Sequence, residues 1–270
     1  MAILQYENVK LPKFIGQVVG IALNSEGKLV ILHRADRIWN ADSFNDNNIF
    51  NSSLGPIKRS TLLILEPYTG KIIKEGGENL LYMPHGLFVD HKNNIWVTDV
   101  GSHQVFKLDS NMKVLLTLGE KLVPGSSSNH FCMPTDVAVT KAGAIFVSDG
   151  YCNSRILKFD SSGRFIKSFG QSYGIYKVPM EDTLTLPHSL TIDEQLSMIC
   201  VADREEQRIL CYSINDTDGQ FDTSGELLTK IEDVGRVYAI RFKVEEQRVA
   251  SGNELDKTIC LKTAVKIAVP

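Results

Sequence analysis

The chain repeats itself, and that repetition constrains the fold more than any other feature. MPHGLFVDHKNNIWVTDVGSHQVFKLD from Met83, MPTDVAVTKAGAIFVSDGYCNSRILKFD from Met133 and LPHSLTIDEQLSMICVADREEQRILCYS from Leu186 align by eye, their starts 50 and 53 residues apart. In each unit an apolar-alternating run is followed by a polar turn. A second run then ends in Thr-Asp, Ser-Asp or Ala-Asp, and a third is rich in Val, Ile, Leu and Phe. That alternation is the period of half-buried strands. A fourth run closes the unit, as in VLLTLGE and RFIKSFG. Four antiparallel strands repeated at this period make a propeller blade, a sheet that buries its faces only against its neighbours.

The same template extends outward. GQVVGIALN, KLVILHR, STLLILEP and KIIKEGG read as an earlier blade, with an insertion from Ala35 to Arg59 between its second and third strands. RVYAIRFK, QRVASGN, KTICLKT and AVKIAVP read as a shortened later one. The expectation is one all-β propeller domain over 1–270, with blades at 16–78, 83–120, 133–170, 186–231 and 236–270. Residues 1–15 hold a spare strand able to close the last blade.

Composition removes several classes of partner. With 29 Lys and Arg against 32 Asp and Glu, and no long run of either sign, nothing tracks a phosphate backbone or an anionic bilayer. No stretch approaches the roughly 20 apolar residues of a spanning helix, and MAILQYENVKLPKF turns polar too early for a signal-peptide core. The cysteines argue for an oxidising compartment nonetheless. A hairpin turning at Arg204 to Gln207 sets Cys200 opposite Cys211, within reach of a disulfide. Asn51 and Asn215 open Asn-Ser-Ser and Asn-Asp-Thr, acceptor sequons for glycosylation. Ordinary reduced thiols in a cytosolic protein are the competing reading, and Cys260 stays unassigned.

The P-x-[GD]-[LIV] and [VI]-x-V-[ST]-D elements resemble the NHL family of propellers. HRADRIW, LYMPHGLFVD, NHFCMPTDVAV, VSDGYCNSRI, LPHSL and CVADREEQRI look more specifically like peptidyl-α-hydroxyglycine α-amidating lyase, from about Gly16 to about Ile240. The resemblance implies a propeller of six blades, of which five are recognisable here. It also implies cleavage of a peptidyl-α-hydroxyglycine to a peptide amide and glyoxylate, with zinc held by three histidines. Two of these match His85 and His188, each following Pro at the start of a blade's innermost strand, with Thr135 at that position between them. No histidine follows His188, and His33, His91, His103 and His130 read as lying off the axis, His103 on a third strand and His91 on a turn.

By the same resemblance Tyr151 is the base that takes the proton of the substrate hydroxyl, Arg34 and Arg204 are active-site arginines, and Cys132 pairs with Cys152. A structural calcium would rest on the backbone carbonyls of Ile21 and Leu87. A free carboxylate on the substrate calls for such a guanidinium, which can grip it bidentately. The expected partners are C-terminally α-hydroxyglycine-extended peptides, and the expected setting is the secretory pathway or outside the cell. With two zinc ligands in place of three, little or no release of glyoxylate is expected of these 270 residues, while a longer form carrying a third Pro-His element is expected to be active with zinc. A non-catalytic propeller binding peptides or proteins at the same mouth is the alternative. A lactonase-type propeller is disfavoured because His stands where that group uses Glu, Asn and Asp.

Overall fold

The computed structural model describes residues 11–12, 14–171, 181–215 and 222–242. The described part is four antiparallel sheets of four strands, each in simple meander order. The first holds β1 (Val18–Leu23), β2 (Leu29–His33), β3 (Leu62–Leu65) and β4 (Ile72–Gly76). The second holds β5 (Pro84–Val89), β6 (Ile95–Asp99), β7 (Gln104–Leu108) and β8 (Val114–Leu118), and the third β9 (Pro134–Val139), β10 (Ile145–Asp149), β11 (Arg155–Phe159) and β12 (Phe165–Phe169). The fourth is β13 (Pro187–Asp193), β14 (Met198–Asp203), β15 (Arg208–Ser213) and β16 (Leu227–Ile231). The innermost strands β1, β5, β9 and β13 pack on one another in that order, as in a propeller.

Four sheets of four strands thus lie between Val18 and Ile231. The segment opening the fifth blade, 236–242, forms no ladder strand among the described residues. It runs alongside β13, where Ile240 and Phe242 donate backbone N–H to Ser189 Oγ and Thr191 Oγ1 at 3.3 and 2.9 Å. The rest of that blade, most of the candidate closing strand at 1–15, and Cys260 lie outside the described residues.

The second strand of a blade is buried at every position, as in β6 and β14. On β6, Ile95 and Val97 enter the core shared with the first blade, while Trp96 enters the core shared with the third. On β14, Ile199 and Val201 face the third blade, while Cys200 and Ala202 face Val237 and Ile240. A central blade strand is thus buried on both faces, which favours apolar residues at both parities.

Both disulfides are present. Cys200 and Cys211 are direct partners on β14 and β15, Cα atoms 4.0 Å apart, as the hairpin reading required. Cys132 and Cys152, Cα atoms 5.5 Å apart, tie the loop entering β9 to the loop leaving β10. Loops of such length stabilise by about 2–3 kcal/mol when closed without strain.

His103 departs from expectation: it occupies the turn before β7 rather than the strand, with φ of 59°. It is fully buried, and its Nδ1 accepts from the Met133 backbone N–H at 3.1 Å. Burial pushes this imidazole down to about 4. Between its ordinary value near 6.5 and about 4, the unfolded chain binds a proton that the native ring refuses, so stability is expected to fall as pH drops through that window. Urea unfolding across that range should show a shallower slope for His103→Asn. An unchanged slope would remove His103 from the account.

Candidate active site at the propeller axis

Local structure aims the two histidines. In every innermost strand the register slips by one residue at the same place. Pro84 opposes Asp99 and Leu87 opposes Val97, while Pro187 opposes Asp203 and Ser189 opposes Ala202. His85 and His188 therefore sit in β-bulges, as do Thr135 in β9 and Val19 in β1. A bulge re-aims a side chain away from the regular pleat.

In the second, third and fourth blades the aspartate that ends the second strand supports the bulge. Asp99 accepts the backbone N–H groups of Tyr82 and Met83 at 2.5 and 2.7 Å, and Asp203 those of Thr185 and Leu186 at 2.9 and 2.8 Å. Asp149 does the same for Cys132 at 2.7 Å. The repeating Thr-Asp, Ser-Asp and Ala-Asp endings of the sequence are thus latches on the chain entering the axial position of the same blade.

The two imidazoles meet at the axis with ring centroids 4.8 Å apart. Nδ1 of His85 contacts the Thr135 carbonyl at 2.7 Å, and Nδ1 of His188 contacts the Tyr238 carbonyl at 2.8 Å. A carbonyl only accepts, so each ring carries its proton on Nδ1 and presents a bare Nε2. Both Nε2 atoms face the Tyr151 hydroxyl, at 2.9 and 3.3 Å. Burial holds His85 well below its ordinary value, helped by the neighbouring His188 and Arg34, and burial pushes His188 down to about 4.

Zinc fits this donor chemistry. A backbone acceptor fixing Nδ1–H is the usual support for a ligating imidazole. One phenolic hydrogen cannot satisfy two Nε2 acceptors at once, so a lone pair is left over for a cation. Among the described residues no cluster of three His, Cys, Asp or Glu side chains gathers here, so the third ligand has no described counterpart.

Two guanidiniums flank Tyr151. Arg204 lies 5.7 Å from its ring centroid, and its Nε is paired with Glu205 at 2.8 Å. Arg34 is buried, donating from Nε to the Pro84 carbonyl at 3.1 Å and from Nη1 to Gln17 at 2.8 Å. Burial pushes the Tyr151 phenol up, while Arg204 and Arg34 pull the other way.

The insertion after β2 supplies a wall that the repeat pattern did not foretell. Two short 3₁₀ turns, Ala41–Ser43 and Ser52–Leu54, let it fold back so that Trp39 packs on Tyr151 at 5.3 Å and under Arg34 at 5.2 Å. HRADRIW contained both residues, but nothing local indicated that the indole reaches the third blade. Asn51 caps the second 3₁₀ turn on the exposed side of this insertion. Asn215 is half-buried and donates to Thr223 Oγ1 at 2.8 Å.

Ile21 and Leu87 lie on the innermost strands β1 and β5. The residues at Leu87 do not fit calcium, because a cation of the chain already holds that carbonyl: Arg241 Nη2 donates to it at 3.2 Å. Arg241 Nη1 reaches Asp136 Oδ2 at 3.2 Å, Ser189 Oγ at 3.0 Å and the Leu190 carbonyl at 3.0 Å. One guanidinium thus joins the second, third and fourth blades, and no calcium is proposed there.

The described fold is a propeller of four-stranded blades whose axis carries paired histidines, a phenol between them and two arginines. The NHL repeat family matches residues 81–108 and 131–159. The chain is 46% identical over 90% of its length to a probable peptidyl-α-hydroxyglycine α-amidating lyase of Caenorhabditis elegans, spanning 69% of that protein. It is 40% identical to peptidyl-α-hydroxyglycine α-amidating lyase 2 of Drosophila melanogaster, over 83% of this chain and 54% of that one. It is 49% identical to peptidylglycine α-amidating monooxygenase of Rattus norvegicus, over 73% of this chain and 20% of the relative. The chain belongs to the peptidyl-α-hydroxyglycine α-amidating lyase family. Among solved structures, a streptogramin B lyase matches 82% of the chain and 56% of its own at 16% identity and TM-score 0.52. That likeness shows the fold alone.

Proposed function

We propose that the chain cleaves a peptidyl-α-hydroxyglycine into a peptide amide and glyoxylate. The observation that carries this reading is the Tyr151 hydroxyl within 2.9 and 3.3 Å of two unprotonated imidazole nitrogens, between two guanidiniums. Arg204, with Arg34 nearby, receives the substrate's terminal carboxylate. Tyr151, as phenolate, takes the proton of the α-hydroxyl. The electron pair of that O–H bond forms the aldehyde C=O, the bond from the α-carbon to the amide nitrogen breaks, and the nitrogen takes up a proton to become the amide.

Zinc held by His85 and His188 would supply Lewis-acid charge for ionising the hydroxyl. The expected setting is the secretory pathway or outside the cell, which the two disulfides support. Incubating the chain with a C-terminally α-hydroxyglycine-extended peptide and measuring glyoxylate tests the reading. Release is expected to rise with added zinc and stop with a chelator. Release indifferent to both would count against the zinc role, and none at saturating zinc against the activity.

A further inference from the structure

Repeat arithmetic singles out one residue that the reaction has not used. Thr135 stands 50 residues after His85, and Tyr238 stands 50 residues after His188. The spatial relation repeats as well, since the carbonyl of Thr135 takes Nδ1 of His85 and the carbonyl of Tyr238 takes Nδ1 of His188. Tyr238 is therefore the fifth unit's counterpart of the axial His, Thr, His series. Its ring meets the His188 ring edge-on at 5.7 Å and remains 47% exposed.

That ring has a second neighbour. The Arg204 guanidinium carbon lies 5.4 Å from the Tyr238 centroid and 5.7 Å from the Tyr151 centroid, so one cation is shared by two phenol rings from different units. Both distances are within the reach of cation–π attraction. A long arginine side chain facing a channel loses considerable rotamer entropy when it must meet a ligand. Two rings that hold it beforehand leave less to be lost on binding.

We propose that Tyr238 is the positioning residue of the carboxylate receptor: with Tyr151 it clamps Arg204 in the attitude that receives the substrate's terminal carboxylate, and so sets the preference for α-hydroxyglycine over neutral hemiaminals. This deepens the reading above and rests on Arg204 being the carboxylate partner. The histidine contact is made by the Tyr238 backbone, so side-chain substitutions leave it in place.

Binding can be read on rapid mixing, before turnover, from the fluorescence of Trp39, which packs on Tyr151. The probes are N-benzoyl-α-hydroxyglycine and N-(hydroxymethyl)benzamide, which differ by the carboxylate alone. Tyr238→Leu and Tyr238→Ala are expected to weaken the carboxylate probe by about 3- to 10-fold and leave the neutral probe unchanged, with Tyr238→Phe close to the unaltered chain. Equal weakening of both probes, no weakening of either, or Tyr238→Phe behaving like Tyr238→Leu would overturn the clamp. Arg204→Ala separates the two levels. If it leaves carboxylate discrimination intact, or if the unaltered chain shows none, the underlying carboxylate reading fails. If Arg204→Ala abolishes discrimination and Tyr238→Leu does not, the clamp alone fails.

Discussion

Tyr151→Phe is expected to lower glyoxylate release by about 10²- to 10⁴-fold relative to the unaltered chain at the same zinc concentration, the usual range for a positioned general base. The change removes one oxygen and keeps the ring, so the packing of Trp39 at 5.3 Å and the cation contact with Arg204 at 5.7 Å survive. Binding of a carboxylate probe, read from Trp39, should therefore change little while kcat collapses. Such a split assigns the hydroxyl to the transition state rather than to ground-state binding. A phenylalanine variant retaining more than a tenth of the parent rate would show that another group takes the proton.

The largest stability effect is expected away from the axis. Lys158 on β11 is fully buried, and its ammonium is paired with Asp222, whose side chain is 2% exposed. The same Nζ donates to the Asn215 carbonyl, and Phe146 lies beneath it at 5.6 Å. The Asp222 backbone carbonyl in turn accepts from Lys167 at 3.1 Å. These contacts dock the connection between β15 and β16 of the fourth blade onto the third. Asp222→Ala strands a buried ammonium, and removing one partner of a buried pair typically costs about 3–5 kcal/mol. Replacing both, as Lys158→Met with Asp222→Leu, should cost far less, because two desolvated charges vanish together. Urea unfolding of the single and double variants decides the matter. A single-variant cost below about 1 kcal/mol would mean that the pair is solvated in solution.

Much of this was legible in the chain. The repeat spacing placed sixteen strands, because each blade strand writes its burial locally as alternating or continuous apolar residues. The Cys200 and Cys211 pair could be read because hairpin register is a local matter. His85 and His188 could be read because they occupy equivalent repeat positions. The bulge that re-aims them could not, since it exists only as a slip between two strands. The Asp-ending motif was visible as a pattern, but its partners 16 to 18 residues upstream appeared only with the ladder formed.

What the sequence by itself determined is the unit: four strands, the turn positions, the Pro-His openings and the residue types offered to the axis. Tertiary structure alone decided what those residues meet. Trp39 reaches Tyr151 across an insertion and two blades, Tyr238 shares Arg204 with Tyr151, and Arg241 reaches the Leu87 carbonyl 154 residues away. The reason is geometric. A propeller brings one position of every unit to a common axis, so contacts there join residues whose separation is set by blade stacking, and no local preference of the chain records them.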